Sequence, residues 1–171
     1  MTIGWPPNWN PLPAKGFARV LSKVALVCCA LSVLVHVIAL GFYSKALLNF
    51  QIGLFLAIFP MFLPVLFASR RLQSELYAHS RFWMFDPRLS SKVQKMTLAN
   101  APTWLLRALY ALFIYYFAFF VLFAYRTFPN KATNLDEVQV ISAGAAVFYI
   151  AFAAVLTSYA RTDHPLRLDE M

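Results

Sequence analysis

A chain of 171 residues that is 61% hydrophobic and only 13% charged is too apolar for a water-soluble globular domain. Its net charge of +8 comes from 15 Lys and Arg against seven Asp and Glu, an excess that in a soluble protein would favour nucleic acid as a partner. The mean hydropathy of +0.62 argues against that interpretation, because basic residues beside apolar segments are typical of the loops that orient a membrane protein. We therefore expect an integral membrane protein that does not bind nucleic acid.

The apolar stretches predict an all-α bundle of four transmembrane helices in two antiparallel hairpins, joined by a basic amphipathic connector on the cytoplasmic side. Each stretch is long enough, at 1.5 Å rise per residue, to cross a hydrocarbon layer of roughly 30 Å. The expected spans are about 24–44, 46–69, 108–125 and 138–160, within hairpins at 17–69 and 104–160.

Three polar segments surround the hairpins. Residues 1–16 form a tail rich in Pro and Trp, which cannot continue a helix because proline lacks the amide donor. Residues 70–103 are the connector, and 161–171 are a second polar tail. Cys28 and Cys29 are adjacent within the first span, so we interpret them as packing residues and expect no disulfide.

The second span carries two prolines four residues apart, Pro60 and Pro64. Each removes a backbone donor and obstructs the carbonyl one turn earlier, so the span should be kinked. A kink that shapes packing is the simpler interpretation, since proline is common in membrane helices, and a gating hinge is the alternative.

The connector contains a predicted interfacial helix at about 87–98, where Asp86 and Pro87 supply an N-cap and a first helical residue. Leu89, Val93 and Met96 fall on one face of this helix. The basic residues fall on an adjacent face: Arg88, Lys92 and Lys95. Such a segment favours anionic lipid headgroups, and the same residues could instead dock a soluble protein partner.

The third and fourth spans have opposite character. Half of the residues in 108–125 are aromatic, which makes this the bulkiest helix, whereas the fourth span has one face of small residues: Ser142, Ala146, Ala153 and Thr157. Small-residue faces let membrane helices approach closely. We expect this helix-packing face to meet the aromatic third span or a second copy of the chain.

Counting Lys and Arg on each side of the spans predicts the orientation. Twelve lie in the two terminal segments and the connector with its flank, and three lie on the opposite side. The positive-inside rule then places both termini and the connector in the cytoplasm, and we expect a bacterial inner membrane.

His36 is the one ionisable side chain deep within an expected span, and such residues are functional candidates by default. Counted from the ends of each run, the midplane should also hold Tyr115, Tyr116, Tyr149 and the carbonyl of Leu56, which Pro60 would leave free. A neutral histidine could donate to one partner and accept from another. A structural role for this midplane polar cluster is therefore the first interpretation, and a functional one is the alternative.

No motif indicates a catalytic site, and we predict neither a cofactor nor a metal. A bis-histidine haem needs a second buried imidazole, and a proton-coupled exporter normally places a carboxylate within a span, whereas all seven acidic residues lie outside the four spans. The chain contains neither a Gly-rich phosphate loop nor a nucleophile elbow, and it has only five glycines.

The function that this sequence favours is a non-enzymatic subunit or accessory factor of a membrane complex. It would bind a protein partner through the connector or through the small face of the fourth span, or assemble with copies of itself. The first alternative is a homo-oligomeric pore or small-solute carrier in which His36, Pro60 and Pro64 line the path. The second is a membrane redox or lipid-modifying enzyme that uses His36 or the region of His79.

Overall fold

The computed structural model describes residues 14–73, 87–127 and 134–163, and within these ranges the chain forms helices and no strand. Four stretches are long and apolar enough to cross a membrane, which confirms the expected helical chain with four such stretches. The helices are α1 (Lys15–Ala39), α2 (Lys45–Leu56), α3 (Ile58–Leu72), α4 (Pro87–Leu98), α5 (Thr103–Thr127) and α6 (Asn134–Arg161). The N-terminal tail 1–13, part of the connector and residues 164–171 lie outside the described residues.

The first membrane helix ends five residues before the end of the expected span. The amide of Leu40 donates to the carbonyls of His36 and Val37, which closes α1 with a tightened turn. Ser44 begins the next helix as its N-cap, because its hydroxyl accepts a 3.1 Å hydrogen bond from the amide of Leu47. His36 therefore lies in the last turn of α1 and not near its middle.

The second membrane-crossing stretch is divided at Ala57 into α2 and α3. The amide of Ala57 bonds back to the carbonyls of Gly53 and Leu54, and a new helix starts one residue later. Pro60 is the third residue of this helix, where its missing amide hydrogen would have no partner within the helix anyway. Pro64 lies inside α3.

The last helix, α6, is the core of the molecule. Of its most apolar 18-residue window 61% is buried, compared with none of the corresponding window of α5. Helix α6 contacts α1, α2, α3, α4 and α5, and its interface with α1 is the most extensive between any two of the described helices. The chain neighbours α1 and α2 contact each other far less.

A stripe of small and polar residues explains why α1 packs so closely on α6. Seven of the eight buried positions of α1, all except Val35, alternate in steps of four and three, the spacing of a left-handed helix pair: Ala18, Ser22, Ala25, Cys29, Ser32, His36 and Ala39. Because hardly any side-chain volume separates the backbones, the two helices can make extensive van der Waals contact without a hydrophobic driving force.

The small face of α6 thus packs mainly against α1, which was not the expected neighbour. Ala146 of this face also lines a small cavity together with Tyr115 of the aromatic helix. Ser142, Ala146, Ala153 and Thr157 contact α1 through hydrogen bonds to His36, Cys29 and Ser22. The expectation of the aromatic third span or a second copy overlooked that α1 carries its own small stripe. The aromatic helix α5 instead places Tyr116 against Gly144, where an added methyl group would lie 3.5 Å from the ring.

Three contacts bring several helix ends together. Lys15 bonds to Asp163 at 2.8 Å, Asn100 to Thr162 at 2.9 Å and Gln73 to Thr97 at 2.7 Å. We call this the basic end, because its described side chains include Lys15, Arg19, Lys23, Arg70, Arg71, Lys92, Lys95, Arg107 and Arg161. Lys45 lies at the opposite end of the bundle, at the start of α2.

Candidate functional site

His36 is buried between α1, α5 and α6 and uses both ring nitrogens. Its Nδ1 lies 2.9 Å from the carbonyl oxygen of Gln139 and 3.2 Å from the hydroxyl of Ser142. Its Nε2 lies 2.7 Å from the hydroxyl of Tyr115. One imidazole therefore joins the first, third and fourth membrane helices.

The partners determine the hydrogen positions on this ring. A carbonyl oxygen only accepts, so Nδ1 carries the hydrogen and donates to Gln139, while Nε2 accepts from the hydroxyl of Tyr115. The hydroxyl of Ser142 donates to the same Gln139 carbonyl at 3.0 Å. A neutral imidazole thus satisfies every polar atom of the site without a counter-ion.

Aromatic rings and small side chains fill the remaining space. His36 makes edge contacts with Tyr115 and Phe119, at ring-centre distances of 5.5 and 5.0 Å. The cavity beside the imidazole measures about 30 Å³ and is lined by Val33, His36, Leu112, Tyr115, Ala143 and Ala146. This small space leaves room for little more than ordered water beside the imidazole.

The four candidate midplane residues do not form one cluster. Tyr115 binds His36, whereas the hydroxyl of Tyr149 donates to the carbonyl of Leu54 in α2. Tyr149 is seven residues after Ser142, a rise of about 10 Å along α6. Tyr116 packs against Gly144. The carbonyl that accepts from Tyr149 belongs to Leu54 and not to Leu56, since the helix is interrupted at Ala57.

The bond from His36 is the last of a regular series between α1 and α6. Ser22, Cys29 and His36 are seven residues apart, and each bonds to a backbone carbonyl of α6, at 3.2, 3.4 and 2.9 Å. The accepting carbonyls are also seven residues apart, in the reverse direction: Ala153, Ala146 and Gln139. We call these three contacts the rungs. They fix the antiparallel register of the two helices.

Two buried glutamines belong to this polar interior. They carry no ionisable group, so they were not among the candidates predicted from the sequence. The Nε2 of Gln139 donates to the carbonyl of Ala39 at 2.6 Å, which satisfies one of the carbonyls left open at the end of α1. Gln51 in α2 is fully buried, and neither of its amide atoms has a hydrogen-bond partner among the described residues. An uncharged amide within an apolar stretch is the signal that identifies both.

The other candidate residues lie away from His36. Pro60 is exposed and Pro64 is partly buried, both on α3. Lys95 is exposed and Lys92 partly buried on α4, while the side chain of Arg88 is outside the described residues. No group of three or more His, Cys, Asp or Glu side chains suited to a metal occurs within 14–73, 87–127 and 134–163.

Comparison with known proteins gives no family for this chain: no family model, no curated protein and no solved structure matches it.

The hydrogen bond between His36 and Tyr115 should contribute measurably to the stability of the bundle. In a double-mutant cycle of His36→Phe and Tyr115→Phe, we expect a coupling free energy of about 1 kcal/mol, typical of hydrogen bonds between membrane helices. Unfolding in detergent, followed by circular dichroism, measures it. Tyr125→Phe is the matched control, because Tyr125 is 84% exposed on the same helix. Zero coupling between His36 and Tyr115 would contradict the assigned bond.

Proposed function

We propose that this chain is a non-enzymatic subunit or accessory factor of a membrane complex, and that it binds its protein partner through the basic face of α4. The observation that carries the proposal is that α4 is held firmly on the bundle while its lysines remain available. Such an arrangement suits a docking surface better than a flexible loop, because less conformational entropy is lost on binding.

Helix α4 is anchored by both apolar and polar contacts. Met96 is 1% exposed, and Thr97 accepts a 2.7 Å hydrogen bond from the side-chain amide of Gln73 at the end of α3. The side-chain amide of Gln94 donates to the hydroxyl of Tyr110 on α5. Lys95 is exposed on this anchored helix and Lys92 is partly exposed. The basic face could also contact anionic headgroups where α4 meets the membrane surface.

The interior of the bundle supports a binding role over chemistry. All polar atoms of His36 are engaged and the adjacent cavity has the volume of about one water molecule, so the imidazole is poorly placed to act on a substrate. The small face of α6 is occupied by α1. Of the two partner surfaces that the sequence suggests, the connector is therefore the one we retain.

A homo-oligomeric pore or carrier is the second candidate, and the interruption at Ala57 favours it. Pro60, which follows the interruption, is exposed on the outside of the bundle, where copies could meet. His36 is buried between helices of one chain, so a path between copies would have to run without it.

We further propose that the basic end faces the cytoplasm of a bacterial cell, with the chain threaded as two hairpins through the inner membrane. The support is the excess of Lys and Arg at this end, together with the 2.8 Å bond between Lys15 and Asp163, which brings the beginning and the end of the described chain to the same side.

Labelling of single cysteines tests this orientation. In a background with Cys28→Ala and Cys29→Ala, a cysteine that replaces Lys45 should react with a membrane-impermeant maleimide in intact spheroplasts. A cysteine that replaces Lys95 should react only after the membrane is opened. The reverse labelling pattern would refute the orientation, and labelling of both positions in lysed cells controls for accessibility.

The docking face is tested by charge removal. We expect Arg88→Gln, Lys92→Gln and Lys95→Gln together to reduce by on the order of tenfold the partner that copurifies in mild detergent, because charge complementarity at a surface governs such binding. The control combines Arg70→Gln, Arg71→Gln and Arg107→Gln, which removes the same charge from the basic end without altering α4. Quantitative mass spectrometry of the purified complexes gives the ratio.

Equal recovery of every copurifying protein with both triple variants would contradict the proposal. Recovery of assemblies that contain only this chain, in equal amounts for both variants, would favour the homo-oligomeric candidate instead.

A further inference from the structure

A groove at the basic end brings together three cations from two helices. Arg19 and Lys23 lie one turn apart on α1, and Arg161 is the last residue of α6. The groove has a volume of about 430 Å³, within the range of small-molecule sites. No residue of α4 lines it, so the groove is separate from the basic face of α4.

Among the residues that the structure describes, those that line this groove include three cations and no acidic side chain. Asp163, two residues beyond Arg161, pairs with Lys15 at 2.8 Å and is not part of the lining. Three cations that converge without a carboxylate repel one another, so an anion between them would relieve the repulsion. A phosphate group matches this demand, because it accepts several charge-assisted hydrogen bonds at once.

The rest of the groove is apolar. Leu26 of α1 and Leu105 of α5 form its walls, and Trp104, which is 58% exposed, lies at its margin. Trp is typical of the level at which headgroups meet hydrocarbon, and the flanking leucines extend from there along the membrane-crossing helices. The cations lie at the headgroup level and the apolar walls lie beside them. An anion that carries acyl chains therefore suits this groove better than a free anion does.

We propose that this groove binds one anionic phospholipid. Arg19, Lys23 and Arg161 contact its phosphate, and an acyl chain lies against Leu26. The site is independent of the proposed partner surface on α4, so either can fail without the other.

Fluorescence of Trp104 reports on the groove directly. A protein with Trp5→Phe, Trp9→Phe and Trp83→Phe retains Trp104 alone and is reconstituted in nanodiscs of neutral lipid. Small mole fractions of brominated phosphatidylglycerol or brominated phosphatidylcholine are then added. We expect quenching by the anionic lipid at a mole fraction at least about tenfold lower than by the neutral lipid, since each basic residue near the surface favours anionic lipid several-fold.

Charge variants separate the groove from the general charge of the basic end. Arg19→Gln, Lys23→Gln and Arg161→Gln together should abolish the preference for the brominated anionic lipid. Arg70→Gln, Arg71→Gln and Arg107→Gln, which remove equal charge elsewhere at that end, should preserve it. Should the first triple variant fail to fold, Lys23→Gln alone is compared with Arg71→Gln. Equal effects of groove and control substitutions would overturn the proposal.

A competition arm distinguishes lipid from free phosphate. Inorganic phosphate, added against a chloride control of the same ionic strength, should leave the quenching by brominated phosphatidylglycerol unchanged. If phosphate displaces that lipid and chloride does not, the groove is a site for a free anion. Equal quenching by the anionic and the neutral lipid would show no anion site at all, and either result overturns the assignment.

Discussion

The close antiparallel contact between α1 and α6 is the interaction on which the rest of the bundle depends. Every seventh residue of α1, from Ser22 to His36, bonds to a backbone carbonyl of α6, and small side chains fill the positions between. In lipid, apolar side chains gain little by meeting each other, so close backbone approach and interhelical hydrogen bonds must provide the attraction. The other membrane helices pack around α6 once this pair is formed, and α6 contacts each of them.

This arrangement explains the role that the structure gives to His36. The ring ends the series of rungs on α6 and also reaches Tyr115 on α5, a helix much of whose aromatic surface is exposed. A polar contact can thus hold a helix whose aromatic surface faces outward. An intramembrane histidine is therefore compatible with assembly alone. The groups that remain available for partners lie at the basic end, on α4 and in the groove beside Trp104.

Composition and hydropathy were sufficient to predict an all-helical protein with four stretches able to cross a membrane. Apolar runs of about 20 residues have the length of a transmembrane helix. Composition and hydropathy were not sufficient to predict which helices pair. Adjacency along the chain favours α2 as the neighbour of α1. The small residues that recur from Ala18 to Ala39 indicate a different partner only when they are matched with the small face of α6. Likewise, His36 stands out as ionisable, but its acceptor is a backbone carbonyl at Gln139, which no residue pattern reveals.

Disulfide trapping between α1 and α6 tests this account most directly. In a Cys28→Ala background, Cys29 is paired with a cysteine that replaces Ala146, and a protease site inserted within 74–86 separates the two helices after cleavage. Mild oxidation should keep the fragments joined until a reductant is added, because the thiol of Cys29 lies 3.4 Å from the carbonyl of Ala146. A cysteine moved from position 29 to the exposed position 30 should not cross-link. Fragments that separate in both proteins would contradict the central pairing of α1 with α6.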